Sequence, residues 1–182
     1  MALVLLTGGA RSGKSALAVQ LASRHGGPVV VIATAEPGDE EMVERIRRHR
    51  EERPAEWSTV EEPLDLEGAL EGAPVGALVL VDCLSLWVAN LLGRELPDED
   101  VDERAACAAG IAAARPGGCI VVTNEVGWGV VPDNPLGRRY RDLLGRVNGV
   151  WAAAADRAGL VVAGRLVPLL PADEVDGWTP SS

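Results

Sequence analysis

Apolar residues in this chain gather in short unbroken runs rather than alternating with polar ones. Five runs predict strands: LVLLT (3–7), VVVIAT (29–34), ALVLVDC (77–83), CIVVTN (119–124) and LVVAG (160–164). A strand that is apolar on consecutive residues is one buried on both faces. Helical spacing fills the gaps. Residues 14–25 carry Leu17, Leu21, Ala18 and Ala22 on one side. Asp39 is a good N-cap for a helix over DEEMVERIRRHREER, with Met42, Val43 and Ile46 as its apolar positions. SLWVANLL continues from the third strand as a helix, and 103–114 is a helix of small residues. Residues 135–158 carry a stripe at 136, 140, 143, 144, 147, 151 and 154, with Pro135 at its first turn and Gly159 just beyond it. Residues 54–75 are mixed and hold three prolines.

Strands separated by helices predict an α/β fold. Its frame is a mostly parallel sheet with helices on both faces, of the P-loop NTPase kind. No repeat or linker divides it. Residues 1–170 are expected as a single catalytic domain, and 171–182 as a polar, frayed C-terminal tail.

The turn after the first strand sharpens the picture. Gly8-Gly9-Ala10-Arg11-Ser12-Gly13-Lys14-Ser15 fits GxxxxGK[ST], and it runs from a strand into a helix. Glycines let backbone N–H groups converge on phosphate oxygens, and the helix N-terminus adds partial positive charge. Lys14 would reach the β- and γ-phosphates, and Ser15 would hold Mg²⁺. Lys14 is also the sole lysine, against sixteen arginines. A compact ammonium fits between phosphates where a planar guanidinium does not. Asp82 ends the third strand, where such a fold puts its second contact to the metal.

Composition then removes alternatives. A net charge of -10 argues against nucleic acid as a partner. No apolar run is long enough for a membrane span, and the first run reads as a strand rather than a signal peptide. Cys83, Cys107 and Cys119 are odd in number and lack paired metal-ligand spacing. They are expected as buried reduced thiols in a cytoplasmic protein.

These features stop at a nucleoside triphosphate bound with magnesium. A small-molecule kinase and a hydrolysis-driven switch fit equally. His49 is ambiguous on spacing alone. It borders the stripe of Met42 and Ile46, among Arg45, Arg47, Arg48, Arg50 and Arg53. It is either part of a solvated charged face or a nucleophile flanked by cations that neutralise phosphate oxygens.

Longer stretches decide more. TGGARSGKS, IATAEPGDEEMVERIRRHREERPAEWSTVEEP, LVDCLSLWVANLL and TNEVGWGVVPDNPLGRRYRDLLGRVNGVWAAAADRAGLVVAG occur in that order across most of 7–164. Together they resemble the bifunctional adenosylcobinamide kinase/adenosylcobinamide-phosphate guanylyltransferase family of cobalamin biosynthesis. The RIxxHxxxRPxxWxTxE and TNEVGxGxVPxN patterns are far more specific than a P-loop. The resemblance implies that His49 accepts GMP from GTP, with Lys14 as the other catalytic residue. It implies nucleotide contacts at Gly8–Ser15, at Ala33, Thr34 and Ala35, at Arg50, Glu51, Glu52 and Arg53, at Glu61 and at Asp82. It also implies GTP, ATP and Mg²⁺ as cofactors, adenosylcobinamide and its phosphate as substrates, and a homotrimer. Trp87, Trp128 and Trp151 are candidate interface residues, with core packing an equal account of each. Glu125 in TNEVG is a candidate general base for the kinase step.

Overall fold

A computed structural model describes residues 2–171. Its order is β1 (Leu3–Thr7), α1 (Lys14–Ala22), β2 (Val29–Ala33), α2 (Glu40–Glu51), β3 (Ser58–Glu61), α3 (Leu66–Gly72) and β4 (Leu78–Asp82). Then follow α4 (Leu84–Gly93), α5 (Asp98–Ala114), β5 (Cys119–Val122), α6 (Pro135–Ala154), β6 (Arg157–Val162) and β7 (Arg165–Leu169). One seven-stranded sheet holds them in the order β3-β2-β4-β5-β1-β6-β7. Every pairing is parallel except that of β7 with β6.

The unbroken apolar runs are explained by two cores. Successive residues of a strand point to opposite faces, and both faces are covered. Val30, Ile32, Val79, Val81, Leu3 and Leu5 pack with α3, α4, α5 and α6. Val29, Val31, Leu78, Leu80 and Leu6 pack with Ala18 and Ala22 of α1. The expected fold class stands.

Several expectations need correction. The sheet has two strands beyond the five. β3 is an edge strand of half-buried and exposed residues, so STVE offers no apolar run. β7 is exposed along its whole length and closes a hairpin on β6. Ala163 and Gly164 both have positive φ, 49° and 74°, the twist a two-residue hairpin turn demands. β6 begins at Arg157 rather than 160, and α6 ends at Ala154. The alanine run there reads equally well as helix, and pairing with β1 makes the choice. α1 ends at Ala22 rather than 25, and α5 starts at Asp98 rather than 103, with an acidic first turn that suits the helix dipole. α3 lies within the mixed stretch 54–75. Trp87 and Trp151 are fully buried, so of the three tryptophans put forward for an interface only Trp128 is exposed. Cys107 is exposed, unlike Cys83 and Cys119. The expected frayed tail lies outside the described residues after Pro171.

Candidate active site

The carboxyl ends of the parallel strands form one edge of the sheet, where ligands bind in open α/β folds. A cavity of about 480 Å³ opens there. Its wall joins Ala10–Ser15 from the turn after β1 and the start of α1, Ala33 at the end of β2 and Ala35 beyond it, Arg45, His49, Arg50 and Arg53 on or just after α2, and Asp82 at the end of β4. Strand register does the alignment: Ala33 pairs with both Glu61 and Asp82, so three strand ends lie in one row.

The turn after β1 is held by backbone geometry. Gly8 has φ 151°, and a Cβ there would sit 2.3 Å from the Val161 carbonyl oxygen. No other residue fits without moving β6. Gly13 has φ 98° and caps α1. Gly164 N–H donates to the Ser12 carbonyl at 2.8 Å, so the β6–β7 turn braces the loop from outside. Lys14 is buried at 6% exposure, and its Nζ donates to the Gly9 carbonyl at 2.7 Å. Burial pulls its ammonium below the usual lysine range, against the opposing pull of Cys83, Asp82 and Glu125. A desolvated cation folded back on its own loop is ready for anionic oxygens.

Across the cavity, α2 buries no residue. Met42, Val43 and Ile46 do not enter either core. Its N-terminus is capped by Asp39, which accepts from the Met42 N–H at 2.8 Å. Contacts with the strand ends anchor its other end. Arg53 Nη2 donates to Asp82 Oδ2 at 3.0 Å, and His49 Nδ1 lies 3.4 Å from the same oxygen. Arg50 pairs with Glu61. Burial acts to raise the Asp82 pKa, but the His49 hydrogen bond and the Arg53 guanidinium together outweigh it. The carboxyl is held below its usual range.

Not every residue expected at the nucleotide faces the cavity. Thr34 is fully buried: its hydroxyl donates to the Cys83 carbonyl at 2.7 Å and accepts from the Cys83 N–H at 2.9 Å. It clamps β2 to β4. Glu51 points to Arg47 on the outer face of α2. Gly8 and Gly9 shape the loop from behind. Glu52, Arg53 and Glu61 do line the cavity. Sequence reasoning left out Asn124, which forms part of the wall and donates to Ser85 Oγ at 2.9 Å. Its position directly after an apolar strand was the available signal. Ser15 and Asp82 both bring oxygen to the cavity, the donor type magnesium prefers. Among the described residues no cluster of three or more His, Cys, Asp or Glu could hold a metal unaided.

A helix that brings a histidine and arginines up to a phosphate loop is more than a P-loop requires, and comparison with known proteins says which family the chain belongs to. The model of the cobinamide kinase / cobinamide phosphate guanyltransferase family matches residues 4–169. The chain belongs to this family. A bifunctional adenosylcobalamin biosynthesis protein, CobP of Pseudomonas aeruginosa, is 47% identical over 166 residues, which is 91% of this chain and 95% of that protein. The bifunctional adenosylcobalamin biosynthesis proteins CobU of Escherichia coli and of Salmonella typhimurium are 41% and 40% identical, each over 89% of this chain and 96% of theirs. The family match runs past Gly164, where the resemblance read from the sequence stopped, and takes in β7.

Proposed function

We propose that this chain phosphorylates adenosylcobinamide and then transfers GMP from GTP, through a guanylylated His49, to adenosylcobinamide phosphate. The product is adenosylcobinamide-GDP, and the pathway is cobalamin biosynthesis. The carrying observation is that His49 and the phosphate loop line one cavity, in a chain of this family.

In the kinase step the loop N–H groups and Lys14 hold the triphosphate of ATP or GTP. An acceptor hydroxyl attacks the γ-phosphorus. Such transfers need mostly positioning and charge neutralisation. Ser15 and Asp82 would hold Mg²⁺, which would supply neutralisation of charge on the triphosphate.

In the guanylyl step the attack moves to the α-phosphorus. The loop then holds the β- and γ-phosphates as the leaving pyrophosphate. With Nδ1 donating to Asp82, the lone pair of His49 lies on Nε2, which forms the phosphorus–nitrogen bond. Arg50 and Arg53 balance charge on the phosphate oxygens. The phosphate of adenosylcobinamide phosphate then displaces His49. Glu61, Glu52, Ala33 and Ala35 stand where the nucleoside would lie. Thr34 and Glu51 act from behind the cavity wall.

The reading takes residues 1–170 as one catalytic domain and 171–182 as a polar tail. It takes the working protein as a cytoplasmic homotrimer with no nucleic-acid partner. Trp128, Val130, Val131 and Leu136 support the assembly: they leave apolar area exposed on the segment that leads from β5 into α6. No described helix is long and apolar enough to cross a membrane. The test of function is incubation with α- and with γ-labelled GTP, with and without adenosylcobinamide. The γ-label is expected on adenosylcobinamide phosphate. The α-label is expected on the protein without corrinoid and on adenosylcobinamide-GDP with it. Label released only as free phosphate would overturn the reading.

A further inference from the structure

β5 lies between the phosphate-loop strand β1 and the Asp82 strand β4. The segment leaving β5, Thr123-Asn124-Glu125, therefore emerges between the cradle and the acid. The Glu125 backbone N–H donates to the Gly8 carbonyl at 3.1 Å, which ties this segment to the start of the cradle.

The Glu125 carboxylate is held by a buried polar chain. Thr7 Oγ1 donates to Glu125 Oε1 at 2.8 Å, and Asn148 Nδ2 approaches the same oxygen at 3.4 Å. Asn148 is held in turn by Thr123, whose hydroxyl donates to Asn148 Oδ1 at 2.7 Å, and by the Asn124 carbonyl, which accepts from Nδ2 at 3.0 Å. Thr7, Thr123 and Asn148 are all buried. Buried polar side chains are costly unless bonded, and here three of them, from β1, α6 and the end of β5, fix one carboxylate. Both contacts fall on Oε1. Among the described residues Oε2 accepts no hydrogen bond.

We propose that Glu125 is the general base of the kinase step, with Thr7 and Asn148 as its positioning residues. The inference rests on the kinase reading above. The acceptor must reach the γ-phosphorus from outside the cavity that holds the nucleotide. Glu125 stands outside that cavity, tied to the first glycine of the cradle. As the acceptor oxygen bonds to the γ-phosphorus, its proton passes to Glu125 Oε2. The bond from the γ-phosphorus to the bridging oxygen breaks, and the nucleoside diphosphate leaves. Glu125 then returns the proton to water. Asp82, the carboxylate in the cavity wall, is a poorer base, because the Arg53 guanidinium pairs with it and the reading above gives it to the metal.

The guanylyl step asks nothing of this base. Its nucleophiles are a histidine lone pair and then a phosphate oxygen that is already ionised near neutral pH. Glu125→Gln keeps the size of the side chain and can still accept from Thr7. It is expected to lower kcat for γ-phosphoryl transfer to adenosylcobinamide by about 10²- to 10³-fold. Protein labelling by α-labelled GTP, and GMP transfer to supplied adenosylcobinamide phosphate, should stay near wild type. Thr7→Val should lower kinase kcat by about tenfold with KM for adenosylcobinamide unchanged. A Glu125→Gln protein with wild-type kinase rate would overturn the assignment, as would one that loses kinase and self-labelling equally. Wild-type protein that phosphorylates no cobinamide would instead sink the functional reading itself.

Discussion

The phosphate loop and α2 face each other across one cavity and are held by opposite means. The loop is fixed by two glycines at positive φ, a brace from the β6–β7 turn, and a buried lysine bonded to the Gly9 carbonyl. The helix has no buried residue and is anchored through side-chain charges at Asp82 and Glu61. In the function proposed above, the loop serves both transfers, so every displacement of it would cost both, and the helix carries the nucleophile of one transfer only. The two regions should therefore respond to mutation in different ways: loss of both activities on one side, separable losses on the other.

The largest effect tests the shared side. Lys14→Ala should lower both γ-phosphoryl and guanylyl transfer by at least about 10³-fold, because both need the triphosphate tail held. Lys14→Arg should fail as well, for want of space between the phosphates. Separate assays with γ- and α-labelled GTP check this, and either activity near wild type would break the comparison.

The next effect tests the separable side. With α-labelled GTP and no corrinoid, wild-type protein should carry label that is lost in acid and kept in base, as a phosphorus–nitrogen bond requires. His49→Ala should remove that label and guanylyl transfer, while γ-phosphoryl transfer stays within about threefold. Product of wild-type protein should keep its configuration at the α-phosphorus, since two in-line displacements restore it. Inverted phosphorus would mean direct transfer without His49.

The same contrast explains what the sequence made legible. Backbone rules are local, so the glycines, the lysine and the strand before them announced the loop. The two cores were equally readable, since strands covered on both faces are apolar at every position. β3 was not, because an edge strand needs no apolar run, and β7 was not although RLVPL is mostly apolar, because Pro168 argues against a strand except at a sheet edge; Ala163 and Gly164, taken as the end of the fifth strand, are the turn of the hairpin. The resemblance pointed to His49; spacing alone did not, because an amphipathic helix with few apolar residues reads as a solvated face. Thr34 shows the remaining gap. The resemblance implied a nucleotide contact there, and no local rule foretold that its hydroxyl bonds both Cys83 backbone groups and turns inward.

Arg53 should show how α2 is held. Its side chain is 9% exposed and Asp82's is 12%, so removing the guanidinium leaves a nearly buried carboxylate with His49 alone. Arg53→Met should cost about 2 kcal/mol of stability at neutral pH. The folded Asp82 pKa lies below its ordinary 3.8, so its stabilising contribution is complete above that value and is lost as pH falls through and below it. Urea midpoints measured from about pH 5 downward should therefore fall less steeply in Arg53→Met than in wild type. Parallel curves would mean that Arg53 is not what holds Asp82 ionised.

The smallest effect lies at Arg47, within α2 itself. Arg47 bonds Glu44 and Glu51, and its guanidinium pKa is raised by those two partners. By the number of its contacts it looks as firmly held as Arg53. All three side chains are more than half exposed, however, and none of these contacts reaches another element. Water competes for each charge, and holding long side chains in one geometry costs entropy, so such pairs add little. Arg47 also takes no part in the cavity wall. Arg47→Ala should leave Tm and both transfers unchanged within error, under conditions where Arg53→Met shifts Tm clearly. Equal shifts for the two variants would mean that α2 is stabilised as an isolated charged helix. Its anchoring through Asp82 would then not be what separates it from the loop.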